Sequence, residues 1–119
     1  MKIKKICIVG YGPHVEKTII PSLSLKKKNI KIVSSKIQIK NFDVFPNIKT
    51  ALKKISKDYV IFNATPPKLH FETSKLILNM GFNLIIEKPI CLNTKQLTHL
   101  KILSEKQGLF TFENMMYFA

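Results

Sequence analysis

Arginine and tryptophan are absent from the 119 residues, and acids are scarce: seven Asp and Glu stand against twenty lysines, for a net charge of +13. Without arginine the chain lacks the planar fork that grips phosphates in pairs of hydrogen bonds and reads guanine edges, so its positive charge does not by itself mark a nucleic-acid surface. The lysines are scattered, and the one run of three, Lys26-Lys27-Lys28, falls near the end of an expected helix, where cations suit the dipole. Seventeen isoleucines accompany them, which fits compositional drift of a genome better than selection for a polyanion. No nucleic-acid partner is expected. Cysteine is limited to Cys7 and Cys91, too far apart to suggest a metal site or a disulfide framework, and a reducing compartment follows. No apolar run approaches the length of a membrane span, and the first ten residues alternate Lys with Ile as a strand does, not as a signal peptide does. The expectation is a cytoplasmic chain with no membrane partner, folded as one domain over residues 1–119.

Glycine is scarce too, and two of the four glycines fall within three residues, in Ile6-Cys7-Ile8-Val9-Gly10-Tyr11-Gly12-Pro13-His14-Val15. A run of mostly β-branched residues stops at them and a helical pattern follows. At Gly10 a residue without Cβ lets the chain reverse, and at Gly12 it lets the backbone approach a ligand closely. Unpaired N–H groups at the start of the following helix face negative charge, for which a pyrophosphate is the natural occupant. The dinucleotide fingerprint G-x-G-x-x-G places a third small residue where Val15 stands here. Read alone, the string describes either a dinucleotide turn or an ordinary strand-to-helix loop.

Strands are expected at Lys2–Val9, Ile30–Val33, Phe42–Phe45, Asp58–Ala64, Phe82–Ile86 and Leu109–Phe112, several of them continuously apolar, as in a parallel sheet covered on both faces. Helices are expected over His14–Lys28 with a kink or break at Pro21, Ile48–Ser56 capped by Asn47, Leu69–Met80, and Thr94–Gln107 with Leu97, Leu100, Ile102 and Leu103 inward. Too few residues separate Val33 from Val44 for a full crossover helix, so that corner is expected to be irregular. The fold class is α/β: a doubly wound parallel sheet with a shortened second crossover.

Three other corners carry candidate chemistry. Ser34-Ser35-Lys36 ends the second strand where dinucleotide folds usually keep an acid for the ribose hydroxyls; with no acid there and a cation present, a nicotinamide cofactor would be NADP in preference to NAD, and otherwise this is an exposed polar turn. Ala64-Thr65-Pro66-Pro67 leaves the fourth strand at the sheet edge where ligands of open α/β sheets bind, and His70 either sits near a cofactor or is structural. Glu87-Lys88-Pro89 leaves the fifth strand at the same edge; adjacent opposite charges there are costly unless the site uses them or water reaches them, and such a Lys can donate a proton or polarise a carbonyl.

The strings Ile8-Val9-Gly10-Tyr11-Gly12, Ala64-Thr65-Pro66-Pro67 with His70, and Glu87-Lys88-Pro89-Ile90, in this order and spacing, resemble the amino-terminal Rossmann-like nucleotide-binding domain of the Gfo/Idh/MocA oxidoreductases. The resemblance implies NAD(P) as cofactor, with Gly10, Tyr11, Gly12, Pro13, His14 and Val15 around the pyrophosphate and Ser34, Ser35 and Lys36 at the adenosine ribose. It places Ala64, Thr65, Pro66, Pro67 and His70 on the nicotinamide side, joined by Glu87 and Lys88, and makes Lys88 the catalytic residue beside the reacting hydroxyl or carbonyl. The chain departs from the family at Val15, in the short second crossover, and at Tyr117-Phe118, where a basic residue often stands. It also implies that hydride transfer to a small substrate such as a sugar needs a further substrate domain, which the chain is expected to lack; the alternative is a non-catalytic or regulatory dinucleotide-binding module. The apolar stretch Met115–Phe118 is expected to drive self-association or contact with a separate substrate domain.

Overall fold

A computed structural model describes residues 3–36, 39–87 and 93–113. Six strands, β1 (Ile6–Val9), β2 (Ile30–Val33), β3 (Asp43–Phe45), β4 (Val60–Asn63), β5 (Leu84–Ile86) and β6 (Thr111–Glu113), form one sheet in the order β3-β2-β1-β4-β5-β6. Every pairing is parallel. The strands are shorter than their apolar runs: Tyr59 and Phe82 are buried but precede β4 and β5.

Alternation along each strand divides the core in two. Cys7, Val9, Tyr59, Ile61, Leu84 and Ile86 point to one face and meet α2 (Ile48–Lys54), α3 (His70–Asn79) and α4 (Thr94–Lys106) through Leu52, Ile77, Leu78 and Leu100. Ile6, Ile8, Val60, Phe62 and Ile85 point to the other face, under Val15, Ile19 and Leu23. The central strands β1, β4 and β5 are therefore buried on both sides, which is why the sequence shows unbroken apolar runs there instead of a period of two.

The first helix differs most from expectation. Pro13 and His14 are helical, Val15–Ile19 is a π-helical turn, α1 (Ile20–Ser22) completes it, and Leu23 is already extended. Pro21 is the cause: it has no N–H for the Lys17 carbonyl and its ring crowds that carbonyl in a regular helix. The backbone widens instead, and Ile20 N–H donates to Val15 O, five residues back. Lys27–Asn29 returns only as an isolated 3-10 turn.

The other helices follow their end signals. Asn47 caps α2 by accepting from Thr50 N–H at 2.9 Å, and Asn93 caps α4 in a reciprocal box with Gln96. In α4 only part of the expected inward face is inward: Leu100 is buried and Leu103 half-buried, whereas Leu97 and Ile102 are exposed at 43% and 59%. Four apolar positions at 97, 100, 102 and 103 span too much of a helix circumference to share one face.

No helix occurs among the described residues between β2 and β3. Only nine residues, 34–42, separate the two strands, too few for a full crossover helix with its loops. Phe42 packs into the second core, and Lys31 pairs with Asp43 at 2.7 Å across the two strands.

Burial pushes the Cys7 thiol up to about 12, with Lys31 opposing the shift and Asp43 adding to it. In a Cys91→Ser background a thiol reagent should leave the native protein untouched and modify Cys7 only after unfolding. An unfolded thiol ionises from about 9.0 while the folded one stays protonated to about 12, so stability falls as pH rises through that window. The slope is at most about 1.4 kcal/mol per pH unit, and Cys7→Ala should remove that component from a denaturant series.

Candidate functional site: the carboxyl edge of the sheet

Register brings the candidate corners together. Val9 pairs with Val33 and Asn63, and Asn63 with Ile86, so Gly10, Ser34, Ala64 and Glu87 leave the sheet at one edge. Backbone bonds hold that edge: Gly10 N–H donates to Val33 O and Ala64 N–H to Val9 O, both at 2.9 Å, and Glu87 N–H donates to Asn63 O at 3.0 Å. The chain turns to opposite faces after β1 and after β4, and these strands are neighbours, so the edge opens a crevice between their loops.

The two glycines do different work. Gly10 has φ +106°, and a Cβ there would lie 2.6 Å from the Ala64 carbonyl oxygen, so no larger residue fits where β1 closes on β4. Gly12 has no neighbouring atom within 4 Å of where its Cβ would be. Its missing side chain leaves backbone bare toward open space, a surface on which a diphosphate can rest. Glu16 N–H donates to Gly12 O at 3.0 Å and starts the helix. Pro13 and His14 are exposed, whereas Val15 is buried in the core beneath them.

An open cleft of about 840 Å³ lies between that helix and the β2–β3 connection. Tyr11 and Glu16 form one wall, Ser35 and Lys36 the end of β2, and Ile39, Lys40, Asn41 and Phe42 the other side. Ser34 Oγ accepts from Lys36 N–H at 3.0 Å, fixing the turn that presents Ser35 and Lys36. Burial, then the charge and hydrogen bond of Glu16, raise the Tyr11 phenol above its ordinary value.

The β4 loop is organised by Asn63, a residue that no sequence motif marks. Asn63 is fully buried, its Nδ2 donating to His70 O at 3.1 Å and Ser74 Oγ at 2.9 Å, while its Oδ1 accepts from Thr65 Oγ1 at 2.6 Å and Thr65 N–H at 3.2 Å. His70 is 1% exposed and its Nε2 donates to Thr65 O at 2.7 Å, so it fixes the loop from beneath. The only sequence signal for Asn63 was an amide ending an otherwise apolar strand. Pro66 and Pro67 then ride an exposed turn closed by Leu69 N–H donating to Pro66 O at 2.8 Å.

Glu87 is buried at the end of β5, and its Oε2 lies 3.6 Å from His14 Nε2, joining the β5 edge to the glycine turn. Lys88, Pro89 and Ile90, Cys91, and the segment Met115–Phe118 lie outside the described residues. Among the described residues no cluster of His, Cys, Asp and Glu could hold a metal ion, and no helix is long and apolar enough to cross a membrane.

A parallel sheet in this order, wound on both faces, with a glycine turn at the point where its halves diverge, defines a dinucleotide-type Rossmann domain. A family model, the Gfo/Idh/MocA oxidoreductase family, NAD-binding Rossmann fold, matches residues 4–115, and the chain belongs to that family. No curated protein sequence matches the chain. Solved structures share its fold. An oxidoreductase of Bacteroides fragilis is 24% identical with TM-score 0.76, the match covering 97% of this chain and 38% of that one. D-galactose-1-dehydrogenase of Rhizobium etli is 23% identical with TM-score 0.76, over 93% of this chain and 37% of that one. KijD10, a 3-ketoreductase of Actinomadura kijaniata in complex with NADP and TDP-benzene, is 18% identical with TM-score 0.78, over 93% and 37%. The chain thus spans well under half the length of these structures.

Proposed function

We propose that the chain is the cofactor-binding part of an NAD(P)-dependent oxidoreductase, which moves a hydride to or from a small hydroxyl or carbonyl substrate once a substrate domain completes the site. The observation that carries this reading is Gly12, whose bare backbone faces open space at the crevice beside β1. The diphosphate rests there, the adenosine end fills the cleft at Lys36, and the nicotinamide, which carries the hydride, extends toward Thr65–Pro67 and Glu87. Lys88 follows Glu87 in sequence and is assigned the proton transfer beside the reacting carbon–oxygen bond. The name of one structural neighbour, D-galactose-1-dehydrogenase, favours a small substrate such as a sugar. The free, buried Cys7 accords with a cytoplasmic setting.

Titration with NADH and NADPH, read by cofactor fluorescence, tests the reading; no binding of either overturns it. Lys36 and Lys40 in the cleft, with no acid at the end of β2, favour NADP. Lys36→Ala should weaken NADPH about fivefold to tenfold and NADH far less, because only the former carries the 2′-phosphate. Equal losses for the two cofactors would remove the preference.

A further inference from the structure

Helix α4 meets the body of the protein through little of its surface: Leu100 and Ser104 are buried, Gln96 and Leu103 half-buried, and its other residues exposed. An open cleft of about 430 Å³ runs along one flank, lined by Lys95, Thr98, His99, Ile102, Leu103 and Lys106. Steps of four, three and four residues put Lys95, His99, Ile102 and Lys106 on one stripe, with a lysine at each end, about 16 Å apart along the axis. His99 meets Phe71 of α3 edge-on at 5.5 Å, which steadies the wall of the cleft, and the capping box of Asn93 and Gln96 holds the first turn. Ile102 stands between the two lysines, 59% exposed, with Leu103 beside it. Glu105, the one acid of α4, does not line the cleft.

We propose that this flank of α4 docks an acidic amphipathic helix of a partner protein: apolar side chains one turn apart fill the cleft over Ile102 and Leu103, and carboxylates beyond them meet Lys95 and Lys106. Scattered lysines alone mark no partner; here two of them bracket an exposed aliphatic floor. Charge and shape select the occupant. With twenty lysines against seven acids, a second copy would bring like charge to the stripe. A phosphodiester backbone has nothing apolar to set on Ile102. A bilayer presents a flat surface to a concave cleft, whereas the side-chain ridge of a helix enters it. None of these residues lines the crevice at the carboxyl edge, so docking here is independent of the cofactor.

The probe is a fluorescein-labelled helical peptide of about 15 residues, with two leucines one turn apart and a glutamate one turn beyond each. Fluorescence anisotropy on the full chain should show binding near about 50 μM at low salt, weakening about fivefold or more at high salt. The same peptide with lysines in place of the glutamates should bind at least about tenfold more weakly. Ile102→Asp should lose about tenfold in affinity for the acidic peptide at an unchanged melting temperature, because the side chain it replaces is exposed. Lys95→Glu combined with Lys106→Glu should reverse the preference between the two peptides, and Leu97→Asp, on another side of the helix, should bind as the parent does. Equal binding of the acidic and basic peptides, or binding that survives Ile102→Asp, overturns the proposal. Failure of the acidic peptide to bind overturns it as well; Ile102→Asp turning a dimer into a monomer in sedimentation would then assign the cleft to a second copy, and Ile102-dependent flotation with phosphatidylserine vesicles would assign it to a membrane surface.

Discussion

Gly12→Ala should keep the unfolding temperature of the parent chain yet lose at least about tenfold in affinity for NADH and NADPH, while Gly10→Ala should fail in the opposite way. A methyl at position 12 meets no protein atom, so the fold does not register it, but it stands where the diphosphate would approach the backbone. A methyl at position 10 meets the Ala64 carbonyl at 2.6 Å on a backbone with φ +106°. Strain of about 1–3 kcal/mol, plus displacement of the β4 end, should lower the melting temperature by roughly 10 °C. Differential scanning calorimetry alongside cofactor titration separates the outcomes. If Gly12→Ala bound both cofactors as well as the parent, the diphosphate would not rest on that turn.

Asn63→Ala should be the most damaging polar substitution, at about 3–5 kcal/mol. Its amide makes four hydrogen bonds with no water access, and truncation leaves the His70 carbonyl without its side-chain donor and frees both Thr65 contacts. Any folded fraction should also bind cofactor weakly, since the Thr65–Pro67 loop loses its anchor. Urea unfolding measures the first effect and titration the second. A loss under about 1 kcal/mol would mean that water or a shifted Ser74 replaces the amide.

Much of this was legible in the chain. The limits of β2 are marked in the sequence, because Ile30 to Val33 is bounded by Asn29 and a Ser-Ser turn, and Asn47 marks the start of α2 by its capping chemistry. The glycine turn was legible because Gly10 must be glycine for steric reasons internal to the fold. Three things were not. The π-turn depends on how one proline is accommodated, which a helical period cannot express. The outward faces of Leu97 and Ile102 depend on which of two overlapping stripes α3 covers. The importance of Asn63 and the approach of His14 to Glu87 are tertiary, set by parallel register between segments far apart in sequence.

Among the described residues, the return from β2 to β3 gives Phe42 to the interior and Lys36 and Lys40 to the cleft. Where a crossover helix would tie cofactor choice to the packing of an entire layer, this loop separates the two. Its charges can be rewritten at little cost to folding, so if the adenosine end occupies the cleft as proposed, preference for one dinucleotide over the other becomes easy to change.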